Sequence, residues 1–265
     1  MKAISKKIIS IFLTLAIVIS SVVFLNTTEA DAATSCIKRF KVNTTYKYDL
    51  DGNKSKEKIK FTRSKINSND YKIKLYINGK YVTYVEASYY ESDEVRLFDF
   101  YSKDKSKEIY IQGYYTAKIV KYNKGKYVIK TISESPFLDS YNSSTGIVRI
   151  YRMFDDQVLM NGISEYKVSG YTITKQPINY GRNPDMLTIR YKALKDIKAY
   201  KNPGSSTVAF KIKKGDIVYA NATYSKGSSK YIRFRNTSDK YGWVKVSSIS
   251  KVPTSMFKNI GYPMY

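Results

Sequence analysis

The chain has 265 residues, with 46 Lys and Arg against 22 Asp and Glu for a formal charge of +24, no histidine and one cysteine. The absence of histidine removes the commonest general base and zinc ligand, together with every Ser-His or Cys-His nucleophilic pair, and a lone cysteine rules out an intramolecular disulfide. The length allows one or two domains, and the charge surrounds them with a positive potential that attracts polyanions.

Residues 1–32 carry the three parts of a secretory signal in order: Lys2, Lys6 and Lys7, an apolar run from Ile8 to Leu25, and Ala30-Asp31-Ala32 as an A-x-A cleavage site. The run is close to the roughly 18 residues that span a bilayer. Thr14, Ser20 and Ser21 and the cleavage site that follows distinguish it from an anchor. A secreted chain beginning at Ala33, with no transmembrane segment after cleavage, is expected. Cys36 lies about ten residues beyond the apolar run, with Ala33 where a lipoprotein signal carries Leu, so it is expected to be a plain surface thiol without a catalytic partner.

From Ala33 to about residue 190 the chain reads as short strands with clear punctuation. Many of the 27 tyrosines alternate with Lys, Ile or Val, as in half-buried strands, and no apolar stripe of period 3.6 follows the signal. Tyr71–Ile77, Asn78-Gly79 and Tyr81–Val85 predict a hairpin. Ala117–Tyr122, Asn123-Lys124-Gly125 and Lys126–Ile129 predict a second, and Glu165–Val168, Ser169-Gly170 and Tyr171–Thr174 a third. Lys-Ser-Lys-Glu recurs at Lys54–Glu57 and Lys105–Glu108, 51 positions apart, each time between an acidic loop and a strand. A period near 50 is that of propeller blades or similar β-units. No third copy of the motif is apparent, which favours a partial propeller-like stack or a β-sandwich over a closed ring.

Asp49-Leu50-Asp51-Gly52-Asn53-Lys54-Ser55-Lys56-Glu57 resembles the D-x-D-G-D/N loops of FG-GAP and VCBS-type repeats of exported bacterial proteins. The resemblance implies a calcium site at Asp49, Asp51, Asn53 and Glu57, since alternate oxygens of a tight loop can wrap one hard cation. Lys54, Lys56 and Lys58 place like charge beside any such ion, and Lys54 stands where the loop type has glycine. Weak or absent calcium binding is therefore expected, with a turn held by Asp and Asn side chains as the alternative.

A boundary is expected near Gly181, Asn183 and Pro184. Beyond it, residues 191–252 contain Tyr200-Lys201-Asn202-Pro203, the turn Lys214-Gly215-Asp216 before Ile217-Val218-Tyr219, the strand Tyr231-Ile232-Arg233-Phe234, and Lys240-Tyr241-Gly242-Trp243-Val244. This order resembles the bacterial SH3-type domains carried by exported and wall-associated proteins. The expected fold class is thus all-β: an N-terminal β-repeat domain over 33–190, a small SH3-like barrel over 191–252, and an extension over 253–265. The resemblance implies a ligand-binding aromatic surface, for which Tyr200, Asn202, Tyr219, Tyr231 and Trp243 are the candidates. Trp243 also suits a core position.

The function expected is that of a non-catalytic surface protein of a Gram-positive cell, secreted and wall-associated. The resemblance implies the wall, with peptidoglycan or teichoic acid as the partner, and the charge supplies a preference for anionic polymers. A carbohydrate-processing enzyme or accessory subunit using carboxylate pairs is a second reading. An extracellular polyanion or nucleic-acid binder is a third, although the charge is dispersed lysine and not Arg-rich blocks.

Overall fold

The computed structural model describes residues 36–88, 94–153, 158–159, 161–181 and 189–261, among which every regular element is a strand. After a two-residue strand, β1 (Lys38–Arg39), the chain forms three antiparallel meanders of four strands each. The first is β2 (Thr45–Tyr48), β3 (Glu57–Lys65), β4 (Asp70–Ile77) and β5 (Lys80–Ser88). The second is β6 (Glu94–Phe98), β7 (Glu108–Gln112), β8 (Thr116–Asn123) and β9 (Lys126–Ser133), with β1 paired to the free edge of β6. The third is β10 (Phe137–Asn142), β11 (Ile147–Met153), β12 (Asn161–Ser169) and β13 (Thr172–Gly181). The expected signal and the boundary around Asn183-Pro184 lie outside the described residues; of the remainder, no helix is long and apolar enough to cross a membrane.

Local sequence accounts for the hairpins. In β4 the residues alternate strictly between half-buried and buried, which fixes one face toward a core and with it the register. Asn78 and Gly79 both take positive φ, at 51° and 79°, as do Lys124 and Gly125 at 45° and 84°, and two-residue turns of that hand match the twist of the strands they join.

The meanders pack face to face. Ile59, Phe61, Ile73 and Leu75 of the first meet Leu97, Ile109 and Ile111 of the second in one core. On its other face the second meander presents Phe98, Tyr110, Ile119 and Ile132 to Val148, Ile150 and Tyr166 of the third. The middle sheet is therefore covered on both sides, which is why β7 is buried along almost its whole length. Each such aliphatic or aromatic side chain withdrawn from water contributes about 1.5–3 kcal/mol. Cys36, expected as a surface thiol, is half-buried against the second of these cores.

The C-terminal region supplies β14 (Arg190–Ala193), β15 (Ile197–Tyr200), β16 (Val208–Ile212), β17 (Ile217–Lys226), β18 (Ser229–Asn236), β19 (Tyr241–Lys245) and β20 (Phe257–Asn259). These strands surround a core of Val218, Ala220, Ile232, Phe234, Val244 and Phe257. They do not close into the expected barrel. β16 pairs only with β15 among the described residues and remains an edge. The reason lies in β17, whose ten residues have two partners on one side: β14 along Ile217–Tyr219 and β13 along Ala222–Tyr224. The third meander thereby joins the C-terminal strands in one eleven-stranded sheet, and residues 34–265 cluster as one compact unit.

Candidate functional site

The acidic loop between β2 and β3 is organised by its own side chains. Asp49 Oδ1 accepts the amides of Gly52 at 2.8 Å and Asn53 at 3.1 Å, and Asp49 Oδ2 that of Lys54 at 2.8 Å. Asn53 Oδ1 accepts the Ser55 amide, and Glu57 Oε2 the buried Leu50 amide at 2.8 Å. Asp51 reaches outward, its Oδ2 accepting the amide of Lys124 in the β8–β9 turn at 3.1 Å. One carboxylate oxygen from each of Asp49, Asp51 and Glu57 lies within 4.8 Å of the others. Burial raises the Glu57 carboxyl above its ordinary value; the Leu50 amide opposes this, and the charges of Asp51 and then Asp49 add to it.

The second loop shows what the first would ask of a cation. Asp104 Oδ1 accepts the Ser106 amide as Asn53 accepts that of Ser55, Glu108 Oε2 accepts the Phe100 amide as Glu57 accepts that of Leu50, and Lys54 and Lys105 both take positive φ. The repeat seen in sequence is thus also a repeat in geometry. Between Asp104 and Glu108, however, stands the ammonium of Lys121 from β8, at 2.8 Å and 2.6 Å. In the first meander the chain has turned at Asn78-Gly79 before it could place a lysine opposite Glu57. The three carboxylates there rely on backbone amides, which satisfy them as a turn, and any cation would have to share those same oxygens.

The aromatic candidates gather on one face of the C-terminal sheet. Partners across a ladder point to the same side, and the pairs Tyr219 with Arg235, Tyr224 with Tyr231, Arg233 with Trp243, and Tyr200 with Trp243 place all of these opposite the core of Phe234 and Val244. A bulge at Asn221 shifts the second half of β17 by one residue, so that Ala222 and Tyr224 lie on this face and do not follow Ala220 into the core. From the third meander Tyr180 and Ile178 join the same cluster.

Depth divides them. Trp243 is 4% exposed and Tyr231 8%, so both act as the floor. Tyr200 and Tyr219 are half-buried, Asn202 is exposed in the loop after β15, and Tyr241 stands 42% exposed at the rim. Sequence reasoning missed Tyr180, Tyr224, Arg233 and Tyr241, although the two-residue spacing of Tyr241 from Trp243 and of Arg233 from Tyr231 was a usable signal.

Arg233 gives the face its chemistry. Its guanidinium lies 5.5 Å from the Tyr180 ring, 5.3 Å from Tyr241 and 5.6 Å from Trp243, while its Nε donates to Asn221 Oδ1 at 3.0 Å. No carboxylate among the described residues pairs with it, and burial lowers its affinity for the proton against the opposing pull of Tyr180 and Tyr241. Aromatic rings around a cation leave its outward N–H groups as donors for an anion. No protein-family model matches the chain, and no curated protein and no solved structure is significantly similar to it.

Proposed function

We propose that this is a secreted, non-catalytic surface protein that binds anionic cell-wall polymers, peptidoglycan or teichoic acid, through the aromatic face of its C-terminal sheet. The observation that carries the reading is Arg233: a guanidinium ringed by Tyr180, Tyr241 and Trp243 and not answered by a carboxylate among the described residues. The excess of Lys and Arg over Asp and Glu brings phosphate- or carboxylate-bearing polymers to the surface, and this face offers short-range contacts once they arrive. The order of turns and strands from Tyr200 to Val244, which resembles wall-associated SH3-type domains, supports the wall as the target. The three stacked meanders suit an FG-GAP-like repeat stack, with the acidic loops serving as structural turns.

The test is sedimentation of purified protein with isolated cell walls. At low salt binding is strong; near 1 M salt, where the Debye length falls to about 3 Å, the long-range part is lost and a residual affinity survives. Arg233→Gln and Tyr241→Ala each lower that residual affinity at least about fivefold with the fold intact. Complete release by salt, or retention equal in both variants, defeats this reading, and release of reducing ends from the walls favours the enzyme instead.

A further inference from the structure

Between the first two meanders lies a half-open cleft of about 480 Å³, bordered by Asn69, Asp70, Glu86, Ser88, Tyr114 and Tyr115. That volume falls within the roughly 300–1,000 Å³ of small-ligand sites. Two features characterise it. It carries two adjacent exposed aromatic rings, Tyr114 at 40% and Tyr115 at 65%, their centroids 4.2 Å apart and their planes at 79°. It is also bordered by two carboxylates in a chain of net charge +24.

The wall of the cleft is held in place. The Tyr114 amide donates to the Glu86 carbonyl at 3.0 Å, and a Cβ on Gly113 would stand 2.3 Å from that same oxygen, so the β7–β8 turn is seated on β5 at a position only glycine allows. Asp70 accepts from the Asn67 side-chain amide at 2.8 Å, and Glu86 lies 3.8 Å from the Lys72 ammonium. Their charges are thus partly answered, which leaves lone pairs for hydroxyl donors more than a net field for a cation. The same carboxylates repel phosphate and other polyanions.

We propose that this cleft binds a neutral sugar unit of a glycan, independently of the C-terminal face. A pyranose ring has an apolar C–H face, which the Tyr115 ring would cover, and equatorial hydroxyls, which Asp70, Glu86, Asn69 and Ser88 would accept from or donate to. A cationic peptide is the rival occupant, and salt separates the two.

The experiment titrates purified protein with a linear tetramer of N-acetylglucosamine near 1 M NaCl, where charge attraction is screened to about 3 Å. Saturable binding in the micromolar to millimolar range is expected. Tyr115→Ala weakens it at least about tenfold while Tyr115→Phe keeps it within about twofold. Both variants melt as the parent does, because the ring is largely in solvent. No saturable binding of the tetramer, or equal affinity in Tyr115→Ala, overturns the proposal. So does binding of tetralysine in its place that vanishes at the same salt.

Discussion

The ammonium of Lys121 lies 2.6 Å from Glu108 Oε1, and both side chains are almost wholly withdrawn from water. Burial raises the Glu108 carboxyl, and the charge of Lys121 and the Phe100 amide pull against that rise. Removing one partner of such a pair leaves an uncompensated charge, at a cost of about 3–5 kcal/mol. Lys121→Met is expected to destabilise the protein by that amount in urea unfolding, and pairing it with Glu108→Gln should recover part of the loss, since the glutamine oxygen still accepts the Phe100 amide.

Glu57, without such a lysine, gives a pH effect of definite sign. Its carboxyl is raised above 4.5 in the folded chain, chiefly by burial, with the Leu50 amide opposing and Asp51 and Asp49 adding. In the interval above 4.5 the folded form therefore holds a proton that the unfolded form has released, so this contribution favours folding at lower pH and is lost as pH rises through the raised value. In Glu57→Gln that component should vanish, and the stability difference between parent and variant should change across this interval and level off above it. Calcium at about 1 mM should raise the melting temperature by no more than about 1 °C. A larger rise abolished by Asp51→Ala would make the loop a calcium site.

Trp243 and Tyr231 should prove structural. Truncating a buried aromatic leaves a cavity worth about 3–5 kcal/mol, so Trp243→Ala should lower the unfolding midpoint sharply in denaturant. Tyr241→Ala, at the exposed rim, should leave it within about 0.5 kcal/mol of the parent. Equal losses in both would mean that the rim is packed as firmly as the floor.

Gly52 holds the first loop against the second. Its φ is +74°, and a Cβ there would meet the Lys105 carbonyl oxygen at 3.0 Å and its carbonyl carbon at 3.2 Å. Gly52→Ala thus combines a disfavoured conformation with a backbone clash and should cost about 1–3 kcal/mol, measurable as a fall in thermal midpoint.

The hairpins were legible because their signals are local: Asn78-Gly79 and Lys124-Gly125 state both the turn and its hand. The Lys-Ser-Lys-Glu repeat was legible for the same reason. The third meander was legible only in its β12–β13 hairpin at Ser169-Gly170, because its β10–β11 connection, Ser143–Gly146, is short and carries no acids. Closure of a barrel depends on which distant strand β17 selects, and nothing near Ala222 announces β13. For the candidate site, the resemblance to SH3-type domains singled out Tyr219, Tyr231 and Trp243, while their depth depends on Tyr180 and Ile178, brought in from the third meander. The role of Lys121 was likewise hidden, since Lys121 and Glu108 meet only through the register of β7 and β8.

The pairing of β13 with β17 bears on how this chain could be recombined. Three rungs, Ile178 with Tyr224, Asn179 with Thr223 and Tyr180 with Ala222, tie the third meander to the C-terminal strands. A gene fusion that carried only residues 191–265 to a new host would arrive with that stretch of β17 as a bare edge, open to pairing with a strand of its host or of another copy. A transplant that included β13 would keep the edge covered and would bring Tyr180 with it, and with Tyr180 one wall of the ring around Arg233.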